Sequence, residues 1–156
     1  MNLSEEQSVK ILLVEDNPAD ARLVCEVFAE TGVAHQLCQV PDGESALDFL
    51  HARGNYRHES QPGLILLDVG LPGMNGMEVL AEIKADPKLR HIPVVVMSGS
   101  RLEDDILKMY ELHASAYVAK SADLDHFVKI VRSIENFWLE TARLPHAESY
   151  RSRVSK

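Results

Sequence analysis

Residues 64–87, LILLDVGLPGMNGMEVLAEIKADP, hold one complete strand–turn–helix unit from which the rest of the chain can be read. Its first four residues form the most apolar strand in the chain, the pattern of a strand buried on both faces. Asp68 follows at once, then the turn GLPGMNG (70–76). A helix comes next, with Val79, Leu80 and Ile83 on its inner side, before Asp86-Pro87.

The same unit recurs in both directions. Upstream, VKILLV (9–14) is a second two-sided strand, and EDNP places Pro18 to open a helix. Ala19, Leu23 and Val27 supply that helix with a core-facing stripe at a spacing of four, and Gly32 stops it. Residues 34–40 make a less apolar strand, Asp42-Gly43 opens a helix carrying Ala46, Leu47 and Leu50, and 53–63 form a loop. Downstream come a strand at 93–97, a helix at 103–113, a strand at 116–119 and a helix from Asp123 to about Leu139. Five short strands alternating with five helices predict an α/β fold: a doubly wound (βα)5 unit with a five-stranded parallel sheet. The expected organisation is a flexible segment at 1–8, one domain at 9–139 and a tail at 140–156.

Composition narrows the function. A chain of 156 residues has room for one ordinary domain, and 46% hydrophobic with 26% charged residues is a globular mixture. Sixteen basic against 24 acidic residues leave a net charge of −8, which argues against a nucleic-acid partner. The polar, acidic start MNLSEEQSVK is unlike an export signal, and no apolar run is long enough to span a membrane, so the expected location is cytoplasmic. Cys25 and Cys38 form neither a close ligand pair nor a disulfide framework. The seven histidines are scattered without an HExxH pattern, and the glycines of 70–76 do not fit a dinucleotide fingerprint.

In a doubly wound sheet the functional crevice lies at the carboxyl ends of the strands. There the first strand delivers Glu15 and Asp16, the third Asp68, the fourth Ser98 and the fifth Lys120. Clustered carboxylates raise one another's pKa unless a cation neutralises them, and a hard divalent ion such as Mg²⁺ takes oxygen ligands. With that neutralisation Asp68 is a candidate nucleophile toward a phosphoryl donor, with Lys120 offsetting charge on the transferred oxygens and Ser98 donating a hydrogen bond to one of them.

The stretches ILLVEDNPAD, LILLDVGLPGMNGMEVLAEIKADP, IPVVVMSGS and ASAYVAKS resemble the receiver domain of bacterial response regulators over about residues 9–139. The resemblance implies a flavodoxin-like fold and a phosphoprotein with Asp68 as its phosphorylated residue. It also implies Mg²⁺ on Asp16, Asp68 and the Gly70 carbonyl with Glu15 beside them, and a switch made of Ser98 and Tyr117. More narrowly, residues 102–127 and VRSIENFWLETARLP (131–145) are similar to the single-domain regulators paired with bacterial phytochromes. That implies a histidine kinase as partner, a photoreceptor upstream, and a homodimer. With too few residues after the fold for an output domain, signalling would pass through protein contact or onward transfer to a histidine phosphotransfer protein.

Two positions depart from the family. Ser121 stands where proline usually follows the lysine in a cis bond. A non-proline cis bond costs about 2.5–4 kcal/mol, yet the need to aim Lys120 at three carboxylates favours it, and cis is the expectation here. Gly70 leaves bare a position beside Asp68 that often carries a side chain. A small aspartyl-phosphate phosphatase would want a general acid there, and an electron carrier would want phosphate-binding hydroxyls where EDNPAD offers carboxylates. A phosphorylation-independent binding module is the other alternative, resting on Ser121. In the last helix Leu124, Phe127, Val131, Ile134 and Trp138 form the expected core stripe, while Ile130 and Phe137 fall off it and are candidates for the dimer surface.

Overall fold

The structure is a computed structural model that describes residues 8–145; the expected N-terminal segment, but for its last residue, and the tail from 146 onward lie outside the described residues. Strands and helices alternate in the order β1 (Val9–Val14), α1 (Pro18–Ala29), β2 (His35–Val40), α2 (Gly43–Leu50), β3 (Leu64–Asp68), α3 (Gly76–Ala85), β4 (Val94–Ser98), α4 (Glu103–Glu111), β5 (Ala116–Ala119) and α5 (Leu124–Glu135). A 3₁₀ turn at Gly54–Tyr56 interrupts the loop before β3, and a π-helical turn at Asn136–Thr141 prolongs α5. All strand pairs are parallel, in the order β2-β1-β3-β4-β5. The doubly wound (βα)5 expectation is met.

Local chemistry sets the helix starts. The side chains of Asn17, Asp42, Asn75 and Asp123 accept backbone N–H groups at the first turns of α1, α2, α3 and α5. α4 stops two residues before the expected 113, because His113 adopts φ +70°. There the Ala114 N–H donates to the Met109 carbonyl and the His113 N–H to that of Tyr110, a Schellman closure made without glycine.

The alternation of strand side chains divides the core in two. Leu12, Val14, Ile65, Leu67, Val94 and Val96 face α2, α3 and α4, while Ile11, Leu13, Leu64, Leu66, Val95 and Met97 face α1 and α5. On α1 the stripe differs from the expected one. Ala21, Val24, Val27 and Phe28 are buried, Leu23 is half-buried and Ala19 is exposed. Turning the helix this way removes the large Phe28 ring from water, which outweighs burying Ala19. On α5, Phe127, Val131 and Ile134 are buried as expected, but Leu124 sits at the first turn and is 65% exposed. Ile130 packs partly against the core, so of the two off-stripe residues only Phe137 stands out as exposed.

Strand register aims the functional residues. Val14 is level with Leu67, Asp68 with Met97, and Ser98 with Ala119. The residues that follow β1 and β5, and those that end β3 and β4, therefore reach one edge of the sheet. That edge lies where the strand order reverses between β1 and β3, the crevice of a doubly wound sheet.

Candidate functional site

Asp68 ends β3 and is almost wholly buried, as is Ser98 at the end of β4. The Asp68 carboxylate is held from two sides: Oδ1 accepts the Gly70 N–H at 3.2 Å, and Oδ2 lies 3.4 Å from Lys120 Nζ. The backbone beneath it is braced by close approach. A Cβ on Gly76 would lie 2.7 Å from both the Asp68 carbonyl oxygen and Val69 Cα, so only glycine lets α3 begin this close to β3. Gly76→Ala is accordingly expected to lower the unfolding free energy by about 1–3 kcal/mol, read as a lower urea midpoint, and to slow any reaction at Asp68.

Glu15 has no solvent exposure. Its Oε2 accepts from Lys120 Nζ at 2.9 Å and its Oε1 accepts the Asn17 N–H at 3.2 Å. Burial pushes its carboxyl up to about 7; the Lys120 ammonium pulls the other way, and the neighbouring Asp68 charge adds to the rise. Burial works against the Lys120 charge too, but the hydrogen bond to Glu15 and the field of Asp68 outweigh it and drive the lysine up. The lysine keeps its proton. Its third partner is Asp20 Oδ2, at 3.1 Å.

Glu15, Asp16 and Asp68 each offer a carboxylate oxygen, and these lie within 4.8 Å of one another. Three hard oxygen donors this close, one of them on the exposed Asp16, are a set suited to a divalent cation such as Mg²⁺ or Mn²⁺. The fit is good.

The expected cis bond is not found. Among the described residues no peptide bond is cis, so Lys120–Ser121 is trans. The lysine nonetheless meets Glu15, Asp20 and Asp68, because its four-carbon side chain covers the distance from β5 without help from the backbone. Aiming the lysine required no cis strain.

Ser98 and Tyr117 are joined through Ser100. Ser98 Oγ accepts the Ser100 N–H at 3.1 Å, and Tyr117 donates its hydroxyl to the Ser100 carbonyl at 2.7 Å. The Tyr117 N–H in turn donates to the Tyr110 hydroxyl at 3.1 Å, tying β5 to α4. Ser100 Oγ reaches Asp105 Oδ2 at 2.5 Å in the first turn of α4. Asp20, Ser100 and Tyr110 were not singled out from sequence. For Asp20 a signal existed: Pro18 fixes the helix start, which puts Asp20 in the first turn above the same sheet edge.

Fold and site together define a doubly wound α/β domain with an acidic crevice, suited to a divalent cation, around one buried aspartate. The Response regulator receiver domain profile matches residues 11–132, and the chain belongs to that family. Response regulator Rcp1 of Synechocystis sp. is 50% identical over 137 residues, 88% of this chain and 93% of Rcp1. The crystal structure of the Mn(2+)-bound form of Rcp1 superposes with a TM-score of 0.86, covering 88% of this chain and 99% of that one at 50% identity. The phosphorylated cyanobacterial phytochrome response regulator RcpA gives 0.85 with 52% identity over the same shares. Receiver domains are phosphoacceptors rather than turnover enzymes, and this chain is one of them. No described helix is long and apolar enough to cross a membrane.

Proposed function

We propose that Asp68 accepts a phosphoryl group from a histidine kinase of the phytochrome class, and that the modified protein signals by contact with other proteins. The observation that carries this reading is the buried Asp68 carboxylate set between one lysine and two further carboxylates. Likeness to Rcp1 and to the phytochrome regulator RcpA supports the choice of kinase.

In the reaction an Asp68 oxygen attacks phosphorus, the bond from phosphorus to the donor histidine nitrogen breaks, and the imidazole leaves. Mg²⁺, held by Asp16, Asp68 and the Gly70 carbonyl with Glu15 beside them, would supply positive charge against the phosphoryl oxygens. The protein's own groups do the rest. The Gly70 N–H fixes Asp68 Oδ1, Lys120 offers its ammonium on the opposite side, and Glu15 holds that ammonium from beneath. Ser98 Oγ already accepts from the Ser100 N–H, so its own proton is the group it has to offer a phosphoryl oxygen. That new bond would pull on Ser100, whose carbonyl holds the Tyr117 hydroxyl, and so bias Tyr117 and α4.

The test is transfer from a radiolabelled phytochrome-type histidine kinase. Label should appear within minutes and be retained by Asp16- and Asp68-intact protein only; transfer no faster than to an unrelated receiver would defeat the kinase assignment. A histidine phosphotransfer protein is the proposed onward acceptor, assayed by the same label leaving Asp68.

A second copy of the chain is the partner proposed for the end of α5. There Phe137 is 52% exposed and packs edge-on against Trp138 at 5.1 Å, with Ile130 half-buried nearby along the helix. Sedimentation at micromolar concentration should show a dimer, and Phe137→Glu should shift it to monomer. A monomer at every concentration, with and without phosphorylation, would remove this partner.

A further inference from the structure

Asp20 has a default explanation that the hydrogen bonds rule out. An acidic residue at the third position of a helix commonly closes a capping box by accepting the N–H of the cap residue. In α1 that N–H, on Asn17, goes to Glu15 Oε1 instead. Asn17 Oδ1 meanwhile accepts the N–H groups of Ala19 and Asp20, which fixes the first turn without the Asp20 side chain. The Asp20 carboxylate is left to reach Lys120, and does so at 3.1 Å.

An ammonium has three protons and no acceptor. Those of Lys120 have three carboxylates to meet: Glu15 at 2.9 Å, Asp20 at 3.1 Å and Asp68 at 3.4 Å. Glu15 is closed off from water, whereas the Asp20 side chain is 32% exposed, so the two grip the lysine from the interior and from the rim. With Glu15 and Asp68 alone the ammonium can swing about the line that joins them. A third contact fixes it as a point.

We infer that Asp20 is a positioning residue for phosphoryl transfer, holding the Lys120 ammonium at the rim while its contact with Asp68 passes to the arriving phosphoryl group. This rests on the reading of Asp68 as the acceptor. The Asp68 contact is the longest of the three, so it is the one an incoming phosphoryl oxygen replaces at least cost. The grip of Glu15 and Asp20 then survives the reaction.

The test is a double-mutant cycle with phosphoramidate as donor and Mg²⁺ present, followed by intact mass over hours so that slow backgrounds are timed. Asp20→Ala should slow phosphorylation about twofold to fivefold, the upper part of the range for a partly exposed charged contact. Asp20→Glu, which keeps the carboxylate, should recover most of the rate. In a Lys120→Ala background Asp20→Ala should change nothing further, because its effect runs through the lysine. Equal slowing in both backgrounds would reduce Asp20 to a helix-end residue, and no slowing in the wild-type background would overturn the proposal. Wild-type protein that gains no phosphoryl mass, or Asp68→Asn that gains as much, would instead mark failure of the acceptor reading.

Discussion

Asp68→Asn takes up no phosphoryl group from a small-molecule donor in the presence of Mg²⁺, while the unaltered protein gains one, as read by intact mass. The substitution changes little but the chemistry. Asparagine has the same shape, fits the same buried position, and keeps an oxygen to accept the Gly70 N–H. Its amide nitrogen, however, is no nucleophile toward phosphorus. The loss should exceed about a thousandfold, the scale seen when a covalent nucleophile is removed. Folding should not suffer. Asp68 lies among the carboxylates of Glu15 and Asp16, and removing one like charge relieves repulsion that a single lysine offsets only in part. Asp68→Asn is therefore expected to be as stable as the parent or more so, up to about 1 kcal/mol, in urea without added metal. Phosphorylation that persists in this variant at the parental rate would move the acceptor elsewhere.

The parts of this molecule that were legible in its sequence are those set by two-sided burial. β3 and β4 are surrounded by helices, so every side chain had to be apolar until the strand reached the crevice; the first polar residues, Asp68 and Ser98, therefore marked the strand ends directly. The turn of α1 was not legible in the same way. Its apolar residues satisfy more than one stripe, and the choice among them is made by how Phe28 packs between the sheet and α5, which no local pattern contains. Leu124 misled for a related reason: it has the right spacing for the α5 stripe, but one turn too early to lie over the sheet.

At the site the same division holds. Glu15, Asp16, Asp68, Ser98 and Lys120 were legible because each is polar where a buried strand ends. Asp20 was hidden behind the ordinary preference of helix first turns for acidic residues. The Lys120–Ser121 bond departs from the cis expectation because the backbone does not have to aim the lysine. The flexible stem of lysine, which makes it a point charge on a long tether, resolved that conflict at no backbone cost.

Lys120→Ala separates the two jobs of the crevice by moving them in opposite directions. The ammonium is the cation the fold itself supplies to Glu15, Asp20 and Asp68. For the proposed phosphoryl transfer it would be a donor beside the acceptor carboxylate, and losing such a donor costs on the order of a hundredfold to a thousandfold in rate. For a divalent ion it is a competitor. With the lysine gone, no ammonium stands 3.4 Å from Asp68, and the field at the ion's position becomes more favourable. Mg²⁺ should bind about tenfold more tightly in Lys120→Ala, measured by titration at fixed ionic strength, whereas Asp16→Ala should weaken it strongly. The opposed signs guard the result against trivial failure. A variant that had lost its fold would lose both the reaction and the metal, while one in which Lys120 did not serve the site would lose neither. Slower phosphorylation together with unchanged or weaker metal binding would mean that the lysine and the ion do not share the Asp68 carboxylate, and that the three contacts of the ammonium serve the architecture of the crevice rather than its chemistry.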